Sequence, residues 1–172
     1  MRPVPFLLAI PVLGFCAVIQ SSVISRMPLF NGKADLLLLV VIAWTLYPKV
    51  DSAWFWAGVA GFAGMLISAL PPGVYLAGYL VAVGLALFLK RYLWKVPLLA
   101  MITAVILGSV VIHLISYIVV SLQQGQLLPV NIVINLVLIP GLLLNVLLAT
   151  PVYALLRDLA GWIYPDEITD DF

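Results

Sequence analysis

Charged residues are scarce in this chain of 172 residues, and their scarcity decides the class of protein. Charged side chains make up 9% of the residues and hydrophobic side chains 65%, with a mean hydropathy of +1.24. Soluble domains are roughly 25% charged and about 45 to 50% apolar. The composition therefore predicts an integral membrane protein. A net charge of +1, spread over short loops, gives no basic face for nucleic acid.

Cysteine, histidine and membrane-embedded charge are also nearly missing. The chain has one cysteine, Cys16, and one histidine, so neither a disulfide framework nor a thiolate metal site can be built. Apart from Asp35 at an edge, no Asp, Glu, Lys or Arg falls within an apolar run. Ion pumps and enzymes place such groups at depth or in clusters. We therefore predict no enzyme activity, no cofactor and no metal site.

Apolar runs follow one another along almost the whole chain and are separated only by short turn sequences. They predict six transmembrane helices in one integral membrane domain, residues 1–172, at about 6–24, 35–47, 53–70, 74–89, 96–120 and 127–149. Pro140 and Pro151 interrupt the last run. We expect Pro151 to begin a separate interfacial helix, residues 151–163, because Leu155, Leu156 and Leu159 could face lipid while Arg157 and Asp158 face water.

The basic residues predict the orientation of the bundle. With the N-terminus in the cytoplasm, the inner side holds six of the eight basic residues, namely Arg2, Lys49, Lys90, Arg91, Lys95 and Arg157, and the outer side holds Arg26 and Lys33. Inner loops are the ones enriched in lysine and arginine. Both termini are therefore predicted to be cytoplasmic.

The second apolar run is shorter than a bilayer usually requires. Asp35 opens it, and the run ends near Tyr47, whereas a crossing helix needs about 20 residues. Asp35 can cap the helix by accepting from free backbone N–H groups, or it can contact a partner or substrate. A cap alone does not explain the short span, so the helix must start upstream, tilt, or be covered by neighbouring protein.

Small residues form a stripe on the third run. Gly58, Gly61 and Gly64 recur at intervals of three, and Ala53, Ala57 and Gly61 at intervals of four. Small residues in register let membrane helices approach closely. The stripe predicts either packing within the bundle or a docking face for another protein.

A few polar residues lie within the last two runs. Asn131 and Asn135 share a helix face, and with His113 and Asn145 they are candidates for hydrogen bonds between helices or for a polar ligand pocket. His113 and Asn135 are at similar depths on consecutive antiparallel helices. We therefore predict that they are neighbours.

Three stretches together resemble a known family. They are similar, in the same order, to stretches of the rod shape-determining protein MreD family, and they read ADLLLLVVIAWTL, GFAGMLISALPPGVYLAGYLV and LNVLLATPVYALLRDL. In that family an Asp and a leucine run open the second helix, and a glycine-rich third helix leads to a Pro-x-Gly turn. The resemblance implies a noncatalytic subunit of the bacterial cell-elongation machinery in the inner membrane. Its implied partner is MreC, and through MreC the cytoskeletal MreB, the glycosyltransferase RodA and a class B penicillin-binding transpeptidase of peptidoglycan synthesis.

The resemblance also implies a fold and a rival function. The MreD family looks like the six-helix substrate-binding subunits of energy-coupling-factor vitamin transporters, which act in small-molecule uptake. Those subunits dock through an Ala-x-x-x-Ala pattern on the first helix, whereas here Ala9 and Ala17 are eight residues apart. This spacing disfavours uptake. The main functional prediction is a scaffold that binds an MreC-like partner, with Asp35 and the small-residue stripe as the candidate contact.

Overall fold

The computed structural model describes residues 4–22, 33–93, 95–127 and 129–164. These residues form helices joined by short connections, and no strand occurs among them. In chain order the elements are α1 (Val4–Ser22), α2 (Leu36–Leu46), α3 (Ala53–Ile67), α4 (Val74–Tyr92), α5 (Pro97–Gln124), α6 (Val130–Val133), a π-helical turn (Ile134–Leu138) and α7 (Ile139–Ile163). The all-helical prediction is confirmed for this part of the chain. The predicted end of the first span at residues 23–24, the basic residues Arg2 and Arg26, and the acidic tail from residue 165 lie outside it.

Four helical stretches are long and apolar enough to cross a membrane. They are α1, α4, α5 and the continuous stretch from Val130 to Ile163. The helices α2 and α3 are apolar but have only 11 and 15 residues. At about 1.5 Å per residue, α2 is roughly 17 Å long, a little over half of a hydrocarbon core about 30 Å thick. The long helices are those of a multi-pass membrane protein.

The short helix α2 lies at the centre of the bundle. Ten of its eleven residues, from Leu37 to Leu46, are buried. It packs against α1, α3, α4, α5 and α7. A helix that is hydrophobic on every side is stable only where it is covered on every side. Protein, rather than lipid, therefore surrounds this short helix.

Glycines bring α3 and α4 together as a tight hairpin. The turn that joins them ends at Gly73, whose φ of 91° lies in the left-handed region that favours glycine. At Gly61 an added Cβ would lie 2.7 Å from the Cα of Leu76 on α4. The two backbones can approach this closely only because Gly61 has no side chain.

The last helix corrects one prediction. Helix α7 continues through Pro151 to Ile163, so no separate interfacial helix begins there. Its buried positions form one stripe with spacings of three and four residues on both sides of the proline, at Gly141, Asn145, Ala149, Val152, Leu156 and Ala160. Leu156, which was expected to face lipid, is only 7% exposed. The same face packs against the bundle throughout, and this packing holds the helix together across Pro151.

The last run is irregular next to Pro140, one of the two prolines that the sequence marks as interruptions. The π-helical turn Ile134–Leu138 comes directly before α7, and Pro140 is the second residue of α7. Proline has no N–H to donate, and its ring collides with the carbonyl of residue i−4 in a regular helix. A π turn changes the hydrogen-bond register at this point, and such turns are a usual site of helix bending.

Candidate functional site

Asp35 caps the N-terminal end of α2. Its Oδ1 accepts a hydrogen bond from the backbone N–H of Leu38 at 3.1 Å, and its own carbonyl accepts from Leu39 at 3.1 Å. A side-chain oxygen on the N–H of the third helical residue is the geometry of an N-cap. The capping interpretation of Asp35 is confirmed.

The same residue is the centre of a polar network that joins four helices. Tyr79 of α4 donates its hydroxyl to Asp35 Oδ1 at 2.6 Å. Asn145 of α7 accepts from the Asp35 N–H at 2.7 Å and donates through Nδ2 to Ser109 Oγ of α5 at 2.9 Å. Tyr79, Ser109 and Asn145 are at most 1% exposed. We call Asp35, Tyr79, Ser109 and Asn145 the Asp35 network.

Helix α1 supplies a further partner to the first turn of α2. Gln20 Oε1 accepts from the backbone N–H of Leu37 at 3.1 Å. The first N–H groups of any helix have no acceptor within the helix, and a buried group left unpaired in an apolar medium costs several kcal/mol. Side chains of α1 and α7, together with Asp35 itself, therefore take the place of the water that would solvate an exposed helix end.

The other end of α2 is closed by a lysine. Lys90 of α4 donates through Nζ to the carbonyl of Thr45 at 3.0 Å and to that of Tyr47 at 2.6 Å. A cation at the C-terminus of a helix satisfies its last carbonyls and lies favourably in the helix dipole. The two ends of α2 thus carry opposite charges, each on the favourable side.

Aromatic rings surround the same end of α2. Trp44 of α2 stacks on Trp56 of α3 with ring centroids 4.2 Å apart. Trp44 donates through Nε1 to Ser52 Oγ at 3.1 Å, and Trp56 donates to the carbonyl of Pro5 at 3.0 Å. Buried indole N–H groups need such acceptors. The rings fix α3 and the start of α1 against α2.

A cavity of about 760 Å³ lies beside Asp35, and we call it the Asp35 cavity. Its volume is within the range of about 300 to 1,000 Å³ that is typical of small-molecule sites. It extends from the residues before α2 to the α3–α4 turn, the second half of α5 and the π-helical turn. The polar residues in its lining include Lys33, Asp35, Ser68, Tyr75, His113 and Ser116.

The structure separates the polar residues that the sequence grouped together. His113 lines the cavity, and its Nδ1 lies 2.7 Å from the carbonyl oxygen of Ser109 in its own helix. Asn131 and Asn135 are exposed, and no hydrogen bond joins His113 to Asn135. The neighbourhood of this pair stays a prediction. Of the three candidate asparagines, only Asn145 is buried within the bundle.

The small-residue stripe belongs mainly to the interior. Ala53 and Ala57 are at most 2% exposed, and Gly61 and Gly64 are buried. A Cβ on Gly64 would lie 3.0 Å from the ring of Tyr75 on α4. These four residues are therefore covered by the chain's own helices, which corrects the prediction that they form a docking face. Only Gly58 has open space around its Cα.

Two residues of the site, Tyr79 and Lys90, are not among the residues that the sequence predicts. Tyr79 places a phenol within an apolar run, and a buried phenol needs a hydrogen-bond partner. Lys90 belongs to the basic loop, and its place in the sequence predicts only the orientation. The partner of each is 43 to 45 residues away in the chain, so helical spacing could not indicate it.

Comparison with known proteins gives no relative: neither a family model, nor a curated protein, nor a solved structure matches the chain.

Proposed function

We propose that the chain is a noncatalytic scaffold subunit of the bacterial cell-elongation machinery, similar to MreD, which holds the transmembrane helix of an MreC-like partner in the inner membrane. The resemblance in three ordered stretches is its starting point. Through the MreC-like protein, the scaffold would act together with MreB, RodA and a class B penicillin-binding transpeptidase.

The enclosed helix α2 is the observation that supports a scaffold best. The residues that carry the resemblance build the interior: Asp35 caps α2, Gly61 closes α3 on α4, and Gly73 forms the turn between them. The polar groups of the Asp35 network bond to one another. Such an interior gives a bundle of fixed shape, and a fixed shape is what a docking subunit offers to a partner helix.

The outward face of α3 is the revised candidate for the partner contact. Gly58 is half-buried and an added Cβ would meet no atom within 4 Å, while its neighbour along the helix, Phe62, is 61% exposed. A partner helix can therefore approach the backbone at Gly58 without displacing any helix of the bundle. The buried members of the stripe fix the position of this face from inside.

The orientation forms part of the same proposal. Six crossings with cytoplasmic termini would place Lys90 and the end of α7 on the inner side and the Asp35 cavity towards the outer side. Reporter fusions at each loop test this topology. A periplasmic C-terminus or an odd number of crossings would overturn it.

Copurification from native membranes tests the scaffold. Gly58→Leu should leave the bundle folded and reduce recovery of the MreC-like partner, because the new side chain occupies the contact. Gly14→Leu is the matched control, since Gly14 on α1 is equally open. If the Gly58 variant retains the partner and the Gly14 variant loses it, the docking face lies on α1. Recovery of a transporter ATPase in place of the MreC-like protein would favour the small-molecule uptake function instead.

A further inference from the structure

Two serines that line the Asp35 cavity offer acceptors rather than donors to a molecule inside it. Ser116 donates its hydroxyl proton to the carbonyl of Ile112 at 2.7 Å, and Ser21, which also lines the cavity, donates to the carbonyl of Val18 at 3.1 Å. A hydroxyl has one proton and two lone pairs. With the proton used within the helix, each serine can only accept from a molecule in the cavity.

His113 adds an acceptor to the same wall. Its Nδ1 lies 2.7 Å from the Ser109 carbonyl oxygen, which can only accept, so Nδ1 carries the proton in the neutral ring. The lone pair of that ring is then on Nε2, which takes part in no hydrogen bond within the part of the chain that the structure describes. The Asp35 carboxyl group lines the cavity beside these acceptors.

The rim and the remaining wall have a different chemistry. Lys33 is exposed at the rim, and its ammonium group can only donate. One part of the wall is apolar and includes Ile112, Val133 and Val137. Val137 is itself 39% exposed, and Ile134 and Leu136 of the same turn are also exposed. The apolar part of the wall therefore continues onto an exposed apolar surface.

We propose that the Asp35 cavity binds a phospholipid whose headgroup carries both N–H donors and a phosphate, as phosphatidylethanolamine does. The primary ammonium group supplies donors to Ser116, His113 and Asp35, the phosphate pairs with Lys33, and the acyl chains leave along the Val133 and Val137 wall. Phosphatidylcholine has the same charges but no N–H group, so it leaves the acceptor wall unsatisfied. The proposal does not depend on the scaffold function.

Native mass spectrometry and thermal unfolding of the delipidated full chain in a maltoside detergent test this site. The probes are phosphatidylethanolamine, phosphatidylcholine with the same acyl chains, and glycerophosphoethanolamine, which is the free headgroup. We expect phosphatidylethanolamine to be retained as a one-to-one adduct and to bind about tenfold more tightly than phosphatidylcholine. The free headgroup should bind far more weakly than the lipid.

Variants locate the binding at the cavity. Ser116→Phe fills the cavity and should abolish the adduct, and Ser116→Ala, which removes one acceptor, should reduce the preference for phosphatidylethanolamine. Ile118→Phe is the matched control, because Ile118 is on the same helix, is 47% exposed and does not line the cavity. Equal binding of the two lipids, or retention of the adduct by Ser116→Phe, would refute the proposal. Equal binding of the free headgroup would overturn the assignment to a lipid.

Discussion

Asn145→Leu should destabilise the bundle more than any other change of a single amide. Asn145 is 1% exposed, and its two hydrogen bonds, at 2.7 and 2.9 Å, join α7 to the start of α2 and to α5. Leucine has a similar volume but neither donates nor accepts. The substitution therefore removes the hydrogen bonds while largely preserving the packing.

The expected loss follows from the two groups left behind. The N–H of Asp35 loses its acceptor in a buried position, which costs about 1 to 3 kcal/mol. Ser109 Oγ loses the N–H that it accepts from but keeps its own proton to donate, so its loss is limited to the interhelical hydrogen bond itself, about 0.6 and at most about 1.7 kcal/mol. Together these give a loss of about 2 to 4 kcal/mol in the free energy of unfolding.

Unfolding in mixed micelles of maltoside and dodecyl sulfate measures this loss. Tryptophan fluorescence is the signal, because Trp44 and Trp56 are stacked in the folded core and separate on unfolding. Asn135→Leu is the matched control: the same replacement at an exposed amide should change the free energy of unfolding by no more than about 0.5 kcal/mol. An unchanged midpoint for Asn145→Leu, or an equal loss for Asn135→Leu, would refute the reasoning.

Two further pairs of variants test the packing of α3 and the cap of α2. Gly61→Ala should lower the free energy of unfolding by about 1 to 3 kcal/mol, because the new Cβ would lie 2.7 Å from the Leu76 backbone. Gly58→Ala is the control and should leave the free energy of unfolding unchanged or raise it by up to about 1 kcal/mol. Equal unfolding midpoints for the two variants would contradict the close packing. Lys90→Met should cost about 1 to 3 kcal/mol by removing the donor of two carbonyls at the end of α2. The exposed neighbour Arg91 provides its control, since Arg91→Met should cost less than about 0.5 kcal/mol; a Lys90 variant as stable as this control would refute the capping role.

The helices themselves were largely predictable because lipid restricts the backbone so strongly. The apolar runs and the turn residues between them predict most ends of α1 to α5 to within a few residues. For example, α3 begins at Ala53 as predicted and ends at Ile67 rather than at residue 70. Asp35 could also be recognised as a cap, since an acid directly before an apolar run has that role in many helices.

What the sequence could not indicate is which element covers each face. The spacing of Ala53, Ala57 and Gly61 shows that one face of α3 is small, but a helix of this chain and a helix of a partner would use such a face in the same way. Pro151 predicts a helix break because proline lacks an N–H, yet the buried stripe through Ala149 and Val152 continues across it. Long-range packing decided both cases.

The short length of α2 connects the fold to the cavity. In the proposed six-span topology, a helix of about 17 Å cannot carry the chain through about 30 Å of hydrocarbon, so non-helical backbone on either side of it would lie at depth. Such backbone is tolerated only where protein satisfies it or where it borders a cavity. At one end Lys90 and the tryptophans of the core close the bundle, while at the other end Asp35 and Asn145 satisfy the backbone and leave space beside it. An additional turn before Leu36 would place side chains in that space, so the Asp35 cavity exists because α2 begins where it does.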